Sequence, residues 1–145
     1  MSSPQLKVVI PAEKRAGEAR VATVPDVVGK LIRAGVSVEV ESGAGDRSQA
    51  TDEDFRKAGA TVSANVDLAT ADVVLSVNAL EPSVLAKLKK GALTISFLSP
   101  TASLDSIAAA KNAGVTAFSL ELVPRISRAQ SMDALTSQAL CAGYR

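Results

Sequence analysis

Four glycines stand at the points where a helical pattern gives way to an apolar, strand-like run. Glycine is favoured just past a helix because it adopts a left-handed conformation without a Cβ clash. Repetition of this junction indicates a series of β-α units, and therefore a mainly parallel sheet with helices on both faces. The four residues are Gly35, Gly59, Gly91 and Gly114.

Helix and strand signals between these junctions give the expected layout. Pro25 occupies a favourable first-turn position, and Thr51 with Asp54 has capping-box spacing, with aspartate replacing the usual Glu or Gln. The expected strands are 6–10, 36–40, 61–64, 71–77, 93–98 and 115–120, and the expected helices are 25–34, 51–58, 83–90, 104–113 and one that begins at residue 128. The predicted fold class is α/β, with a Rossmann-like or flavodoxin-like, mainly parallel sheet. Hydrophobic residues make up 47% of the chain but aromatics only 3%, so aliphatic side chains must fill the core, as in sheets buried on both faces.

Composition excludes several classes of function. Histidine is absent, so the chain itself carries no Ser-His-Asp triad, Cys-His dyad or histidine-bound metal. Cys141 is the only cysteine; it excludes an internal disulfide and a cysteine metal site, and with no base nearby in sequence it is predicted to be an inert packing residue. The 16 basic and 15 acidic residues, with no basic run, argue against a nucleic-acid partner. No segment resembles a signal peptide or a membrane span, so we expect a cytoplasmic domain without direct membrane insertion.

Two loops that follow strands are candidate ligand sites. Gly43-Ala44-Gly45 follows the second strand, but the dinucleotide fingerprint needs a third glycine where Ser48 stands, so the fingerprint is lacking and a plain turn is preferred. The loop 11–21 follows the first strand, at the edge where open α/β sheets bind ligands, and its Arg20 could receive a carboxylate. An exposed loop held by ion pairs accounts for the same charges.

The C-terminal segment combines an apolar and a polar pattern. Ser127 and Gln130 have capping-box spacing, which predicts a helix from residue 128. Arg125 precedes this helix and could hold a carboxamide, carboxylate or phosphate by a forked contact. At about 100° per residue, the expected packing stripe is Met132, Leu135, Ala139 and Ala142, and the expected polar stripe is Gln130, Asp133, Ser137 and Tyr144. Periodicity fits both a surface helix with one solvated face and a helix that lines a ligand cleft.

Two runs of sequence carry a more specific signal. The first is Pro11-x-Glu13 with Glu18-x-Arg20-Val21-Ala22 and Pro25, and the second is Val123–Asp133 (VPRISRAQSMD) with Ala142-Gly143-Tyr144-Arg145. Together they resemble the N-terminal part of the alanine dehydrogenase/pyridine nucleotide transhydrogenase family, over essentially the whole chain. The first run is shared across the family, whereas the second is similar to the transhydrogenase branch, namely its NAD(H)-binding alpha subunit.

The resemblance implies roles for the C-terminal segment. In such proteins the matching run lies against the nicotinamide end of NAD(H), so Arg125 and Asp133 would orient the carboxamide and Gln130 would reach toward NADP(H) held by a partner domain. Hydride passes directly between the two nicotinamides, so the protein supplies position and electrostatics, and no residue is assigned a certain catalytic role. The implied cofactor-binding residues are Arg125, Gln130, Ser131, Met132, Asp133 and Thr136.

The same resemblance implies the setting of the chain. Residues 1–124 would form an N-terminal α/β domain, and residues 125–145 would begin a connecting helix that leads to a dinucleotide-binding domain not present in the chain. We expect the NAD(H)-binding component of a proton-translocating NAD(P)+ transhydrogenase, inactive as an isolated fragment. Its expected partners are the membrane and beta subunits and a second alpha subunit in a homodimer, which would hold it peripheral to the inner membrane.

Two alternatives stay open at this point. The first is the N-terminal domain of an alanine dehydrogenase, a branch that is similar but uses a lysine in the segment aligned with Val77–Ala79 and a histidine near Ser99. This chain has Asn78 and Ser99 there, although Arg20 is kept. The second alternative is a binding or assembly module without catalysis.

Overall fold

The computed structural model describes residues 5–144 and shows six parallel strands in one sheet. The strands are β1 (Lys7–Ile10), β2 (Ser37–Glu41), β3 (Thr61–Ser63), β4 (Val73–Asn78), β5 (Leu93–Phe97) and β6 (Thr116–Ser119). The helices are α1 (Pro25–Arg33), α2 (Asp52–Lys57), α3 (Pro82–Leu85), α4 (Leu104–Ala113) and α5 (Ala134–Gly143). The spatial order β3-β2-β1-β4-β5-β6 is that of the Rossmann fold rather than the flavodoxin fold, and it confirms the predicted fold class.

Helices cover both faces of the sheet because successive side chains of a strand point to opposite sides. β1 is an example: its Ile10 packs with Phe55 of α2 in one buried cluster. Its neighbour Val9 packs with Leu85 of α3 and Ala110 of α4 in the other. The two clusters form the core on either side of β1, at the centre of the sheet.

Local signals at the element ends behave as the sequence predicts. The capping box of α2 is complete, since Asp54 N donates to Thr51 Oγ1 at 3.2 Å and Thr51 N donates to Asp54 Oδ2 at 2.9 Å. Pro25 opens α1. Gly114 ends α4 with a φ of 66°, in the left-handed conformation that glycine adopts at least cost.

Helix α3 is shorter than the predicted 83–90. It ends at Leu85, and the next turns are closed by bonds three residues back, from Lys87 N to Val84 O at 3.0 Å and from Leu88 N to Leu85 O at 3.1 Å. Leu85 and Leu88 are both buried. A three-residue turn places such a pair on one side of the backbone, so packing favours the tighter geometry.

The predicted helix from residue 128 is wrong in its start and in its cap. Ser127–Met132 form a 3₁₀ helix, and α5 begins only at Ala134. Asp133, rather than Ser127, caps α5 by accepting a hydrogen bond from Thr136 N at 2.9 Å. Short polar side chains stabilise helix starts in this way at the expense of the helix that would otherwise run through them.

The predicted packing stripe is also wrong. Asp133 has a ψ of 83°, which interrupts the helical phase, so residues before and after it do not share one face. Met132 is 57% exposed and Leu135 is 37% exposed. No residue of α5 is buried, and Cys141 is exposed rather than packed.

Two further sequence expectations concern the last residue of the family run and the absence of a membrane span. Arg145, which closes the second family run, lies outside the described residues. Within residues 5–144, none of the helices combines the length and apolar character needed to cross a bilayer.

Candidate functional site

The order of the strands creates a crevice between β1 and β4. Successive connections run outward in opposite directions from these two neighbours, and open α/β sheets bind ligands at the carboxyl ends of strands where that reversal occurs. A cavity of about 700 Å³ lies there, lined among others by Glu13, Asn78, Ser99 and Ser106. These residues come from the ends of β1, β4 and β5 and from the first turn of α4.

Glu13 ties the loop after β1 to the end of β4. Its carboxylate accepts hydrogen bonds from Val77 N at 2.5 Å, from Asn78 N at 3.3 Å and from Asn78 Nδ2 at 2.9 Å. The β4–β5 register shifts by one residue between Leu75 and Asn78, and such bulges re-aim side chains near functional sites. The register shift and the hydrogen bonds to Glu13 therefore both determine where the Asn78 side chain lies.

Asn78 is the centre of a hydrogen-bonded group that we call the switch-point network: Glu13, Arg15, Glu18, Arg20 and Asn78. The Asn78 amide donates to Glu18 Oε2 at 2.9 Å and accepts from Arg15 at 3.2 Å. Glu18 in turn receives two bonds of 2.7 Å from the Arg20 guanidinium. Arg20 is thus held by a carboxylate of its own loop, as the ion-pair interpretation of that loop predicts.

The Glu18 carboxyl is the most strongly perturbed titratable group of the network. Hydrogen bonds from the Arg20 side chain, and further bonds from Asn78 and the Arg20 amide, outweigh the opposing effect of burial and lower the pKa of Glu18 from 4.5 to about 2. The Arg20 partner shows the matching change, because the Glu18 hydrogen bond raises its pKa. Both groups are therefore charged throughout the physiological range.

This pair makes a prediction for pH-dependent stability. A carboxyl whose pKa is depressed on folding stabilises the fold above its unfolded pKa and loses that effect as pH falls through the folded value. We expect Glu18→Gln to lower the free energy of unfolding by about 2 kcal/mol at pH 7, allowing for screening at the half-exposed Arg20, and the deficit to shrink between pH 4.5 and about 2. Urea unfolding at several pH values measures it. Glu53→Gln is the control, since Glu53 contacts Arg56 and Lys57 only at 4.0 Å; equal deficits for the two variants would contradict the assignment.

A second carboxylate fixes the chain where β5 ends. Glu121 accepts hydrogen bonds from Leu98 N at 3.1 Å, from Ser99 N and from Ser119 Oγ at 2.5 Å. Burial opposes its ionisation, but these bonds outweigh burial and hold the pKa of Glu121 below its usual value. Ser99 has a positive φ of 48°, so Glu121 stabilises a backbone conformation that is uncommon for serine.

The Gly43–Gly45 segment is a plain turn, as preferred from the sequence. Gly43 N donates to Asp52 Oδ1 at 2.8 Å, so a carboxylate of the same chain already occupies this amide. A Cβ on Gly45 would lie 2.2 Å from Ala50 O and 2.8 Å from the Phe55 ring. Close packing, rather than phosphate binding, explains glycine at position 45.

The six sequence-predicted cofactor-binding residues lie within one short stretch, which we call the terminal polar edge: Arg125, Gln130, Ser131, Met132, Asp133 and Thr136. The 3₁₀ helix carries three of these residues, and the junction with α5 carries Asp133 and Thr136. Asp133 is partly exposed and the other five are exposed. The structure therefore leaves the edge accessible instead of burying it in the core.

Asp133 is the best-defined group of the edge. Its Oδ2 accepts from the Thr136 hydroxyl at 2.6 Å, and its Oδ1 accepts from Thr136 N. These two bonds, with a smaller contribution from the charge of Arg125, outweigh desolvation and lower the pKa of Asp133. The edge therefore presents a carboxylate and, within its electrostatic reach, a guanidinium.

Comparison with known proteins assigns the family. Residues 9–142 match the family described as alanine dehydrogenase/PNT, N-terminal domain. The chain belongs to this family. Within the alanine dehydrogenase/PNT family, an NAD(P) transhydrogenase subunit alpha chain of Rhodospirillum rubrum is 42% identical over 97% of this chain and 38% of its own length. The chain thus spans less than half of that relative.

Solved structures agree with this assignment. A transhydrogenase from Sinorhizobium meliloti superposes with a TM-score of 0.91 at 43% identity, over 95% of this chain and 42% of that one. An L-alanine dehydrogenase superposes with a TM-score of 0.78 at 27% identity, over 85% and 34%. Both branches of the family therefore share this fold, and the transhydrogenase is the more similar.

The structure brings together some residues that the sequence analysis singled out, and it adds others. Asn78 and Ser99, the two positions that the sequence analysis weighed against an alanine dehydrogenase, line the same cavity. The roles of Glu13, Glu18 and Glu121 were missed, because their partners are backbone amides or side chains brought close only by the sheet. A glutamate just past the end of a strand was the available signal, and by itself it is weak.

Proposed function

We propose that this chain supplies the nicotinamide-facing part of the NAD(H) site in the alpha subunit of a proton-translocating NAD(P)+ transhydrogenase. The observation that carries the proposal is the terminal polar edge, where Asp133 and Arg125 stand on an accessible segment whose sequence matches the transhydrogenase run. Similarity to transhydrogenase alpha subunits over 97% of the chain supports the same assignment.

The donor and acceptor set of the edge fits a carboxamide. A carboxamide offers one carbonyl acceptor and an amino group with two donors, which complement a guanidinium and a carboxylate. The Asp133 carboxylate accepts from Thr136, and because a carboxylate has about four lone-pair sites, it keeps the capacity to accept from an amino group as well. Arg125 would donate to the carbonyl oxygen from its planar fork.

The rest of the chain is consistent with a positioning role. Nicotinamide would supply the hydride chemistry when bound, and because hydride would pass directly from one ring to the other, the residues of this chain would hold and orient the ring rather than act as acid or base. Gln130, on the exposed 3₁₀ helix, would face the NADP(H) held by a partner domain. The membrane and beta subunits, and a second alpha subunit, would complete the assembly and hold it at the inner membrane.

Selective loss of nicotinamide recognition tests the proposal. In the complete alpha subunit that carries this chain, we expect Arg125→Lys to weaken NADH binding about tenfold, since a forked contact to the carboxamide is lost. Binding of ADP-ribose, which lacks nicotinamide, should stay unchanged. Calorimetry with both ligands measures the two affinities.

The matched control is Arg33→Lys, which makes the same change in an exposed arginine at the far end of α1. It should alter neither affinity. If Arg125→Lys weakens ADP-ribose as much as NADH, or leaves both unchanged, Arg125 does not contact the nicotinamide and the proposal fails at this residue.

A further inference from the structure

Helix α5 is held to the rest of the chain by few contacts. None of its residues is buried; Leu140 is 72% exposed, and Tyr144, just past the end of the helix, is 93% exposed. It packs chiefly against the 3₁₀ turn Leu120–Leu122. Across residues 5–144, its side chains make one hydrogen bond to a residue outside the segment 133–144, in which Arg20 Nη1 donates to Gln138 Oε1 at 3.2 Å.

Arg20, by contrast, is held by two partners besides Gln138. Both Glu18 oxygens accept from it at 2.7 Å, and its guanidinium lies 5.8 Å from the centroid of the Phe97 ring at the end of β5. Glu18 is itself bonded to Asn78 at the end of β4. Glu18 and Phe97 thus already order the Arg20 side chain, so little further conformational entropy is lost when Gln138 accepts a hydrogen bond from Arg20.

We propose that Arg20 is a positioning residue that sets the orientation of α5 through Gln138, and thereby the placement of Asp133 and Thr136. The inference rests on the proposed function of the terminal polar edge. A helix moves as a rigid body, and Gln138 lies only about 7.5 Å along the axis from Asp133, at 1.5 Å per residue. The contact therefore links the switch-point network to the nicotinamide-facing edge.

Hydrogen exchange of the α5 amides measures the contact without any nucleotide. Gln138→Glu replaces a neutral acceptor by a charged one, and charge-assisted bonds are roughly twice as strong, so we expect the α5 amides to exchange about threefold more slowly. Gln138→Lys faces Arg20 with a like charge, and exchange should be about fivefold faster. Leu140→Lys adds the same charge two residues further on and should leave exchange unchanged.

A double substitution shows whether Arg20 is the partner. In an Arg20→Gln background the charged acceptor loses its cation, so Gln138→Glu should no longer slow exchange. Persistence of the slowing there would overturn the proposal, because the carboxylate would then act on α5 by another route. Unchanged exchange in Gln138→Lys would overturn it as well.

Because Gln138 would act by placing Asp133 and Thr136 and not by contacting the nucleotide, its variants should change kcat more than KM. In the complete transhydrogenase, Gln138→Lys should lower kcat for hydride transfer several-fold with KM for NADH within about twofold, whereas Gln138→Glu should retain wild-type kcat. If Gln138→Lys instead raised KM for NADH and left kcat unchanged, the result would count against a positioning role for Arg20. If the exchange results hold but Asp133→Asn leaves turnover unchanged, Arg20 still orients α5 and the proposed function of the edge is what fails.

Discussion

Replacing Phe55 with alanine is expected to lower the free energy of unfolding by about 3–5 kcal/mol, the range for a buried phenylalanine. Phe55 is fully buried in α2 and packs in the cluster that joins α1 and α2 to the sheet. A Cβ on Gly45 would lie 2.8 Å from its ring, so one side of the cavity that alanine leaves is bordered by a residue without a side chain. A domain of this kind has a total stability of about 5–15 kcal/mol, so the substitution removes a large fraction of it.

Phe118→Ala provides the control, since the same atoms are removed from a phenylalanine that is 55% exposed on the edge strand β6. We expect it to cost less than about 1 kcal/mol, because most of the ring is already in contact with water. Urea unfolding followed by circular dichroism measures both variants, as the chain has no tryptophan. Similar losses for the two would show that the core is not centred on Phe55.

Much of this fold is predictable because its signals are local. The Thr51–Asp54 capping box, the proline that opens α1 and the glycine that ends α4 each act within a few residues, so sequence spacing is sufficient to find them. β1 and the first half of β4 stand out for the same reason, as short apolar runs. The order of the strands is different, because it depends on which strands pair across the sheet and not on any single run.

The candidate functional region was less predictable, because its geometry depends on a break in the helix and on a contact between distant residues. One helix from residue 128 requires Asp133 to adopt helical angles, but its side chain instead bonds Thr136 and restarts the helix. The stripes predicted across that break therefore do not form. The Arg20–Gln138 contact joins residues 118 positions apart, and periodicity contains no information about such a pair. The residues of the terminal polar edge were predicted from family resemblance, which names a segment of sequence but does not describe its geometry.

On the proposed function, Asp133→Asn in the complete transhydrogenase is expected to slow hydride transfer between about tenfold and a hundredfold, the range for loss of one hydrogen bond to a charged group in the transition state. The affinity for NADH should fall less, because adenosine and phosphate contacts lie elsewhere on the cofactor. Single-turnover kinetics and nucleotide binding, measured on the same preparation, separate the two effects.

The substitution is informative because asparagine caps helices about as well as aspartate. The asparagine side chain can still accept from Thr136, so α5 should keep its start and its hydrogen-exchange rates, while the carboxylate is lost. Asp133→Ala removes both the cap hydrogen bond and the charge. The α5 amides should then exchange faster, and the increase measures the structural contribution of the cap. A rate loss in Asp133→Ala with wild-type kinetics in Asp133→Asn would assign Asp133 to capping alone. A rate loss in both, with faster exchange only in the alanine variant, would place its charge at the nicotinamide.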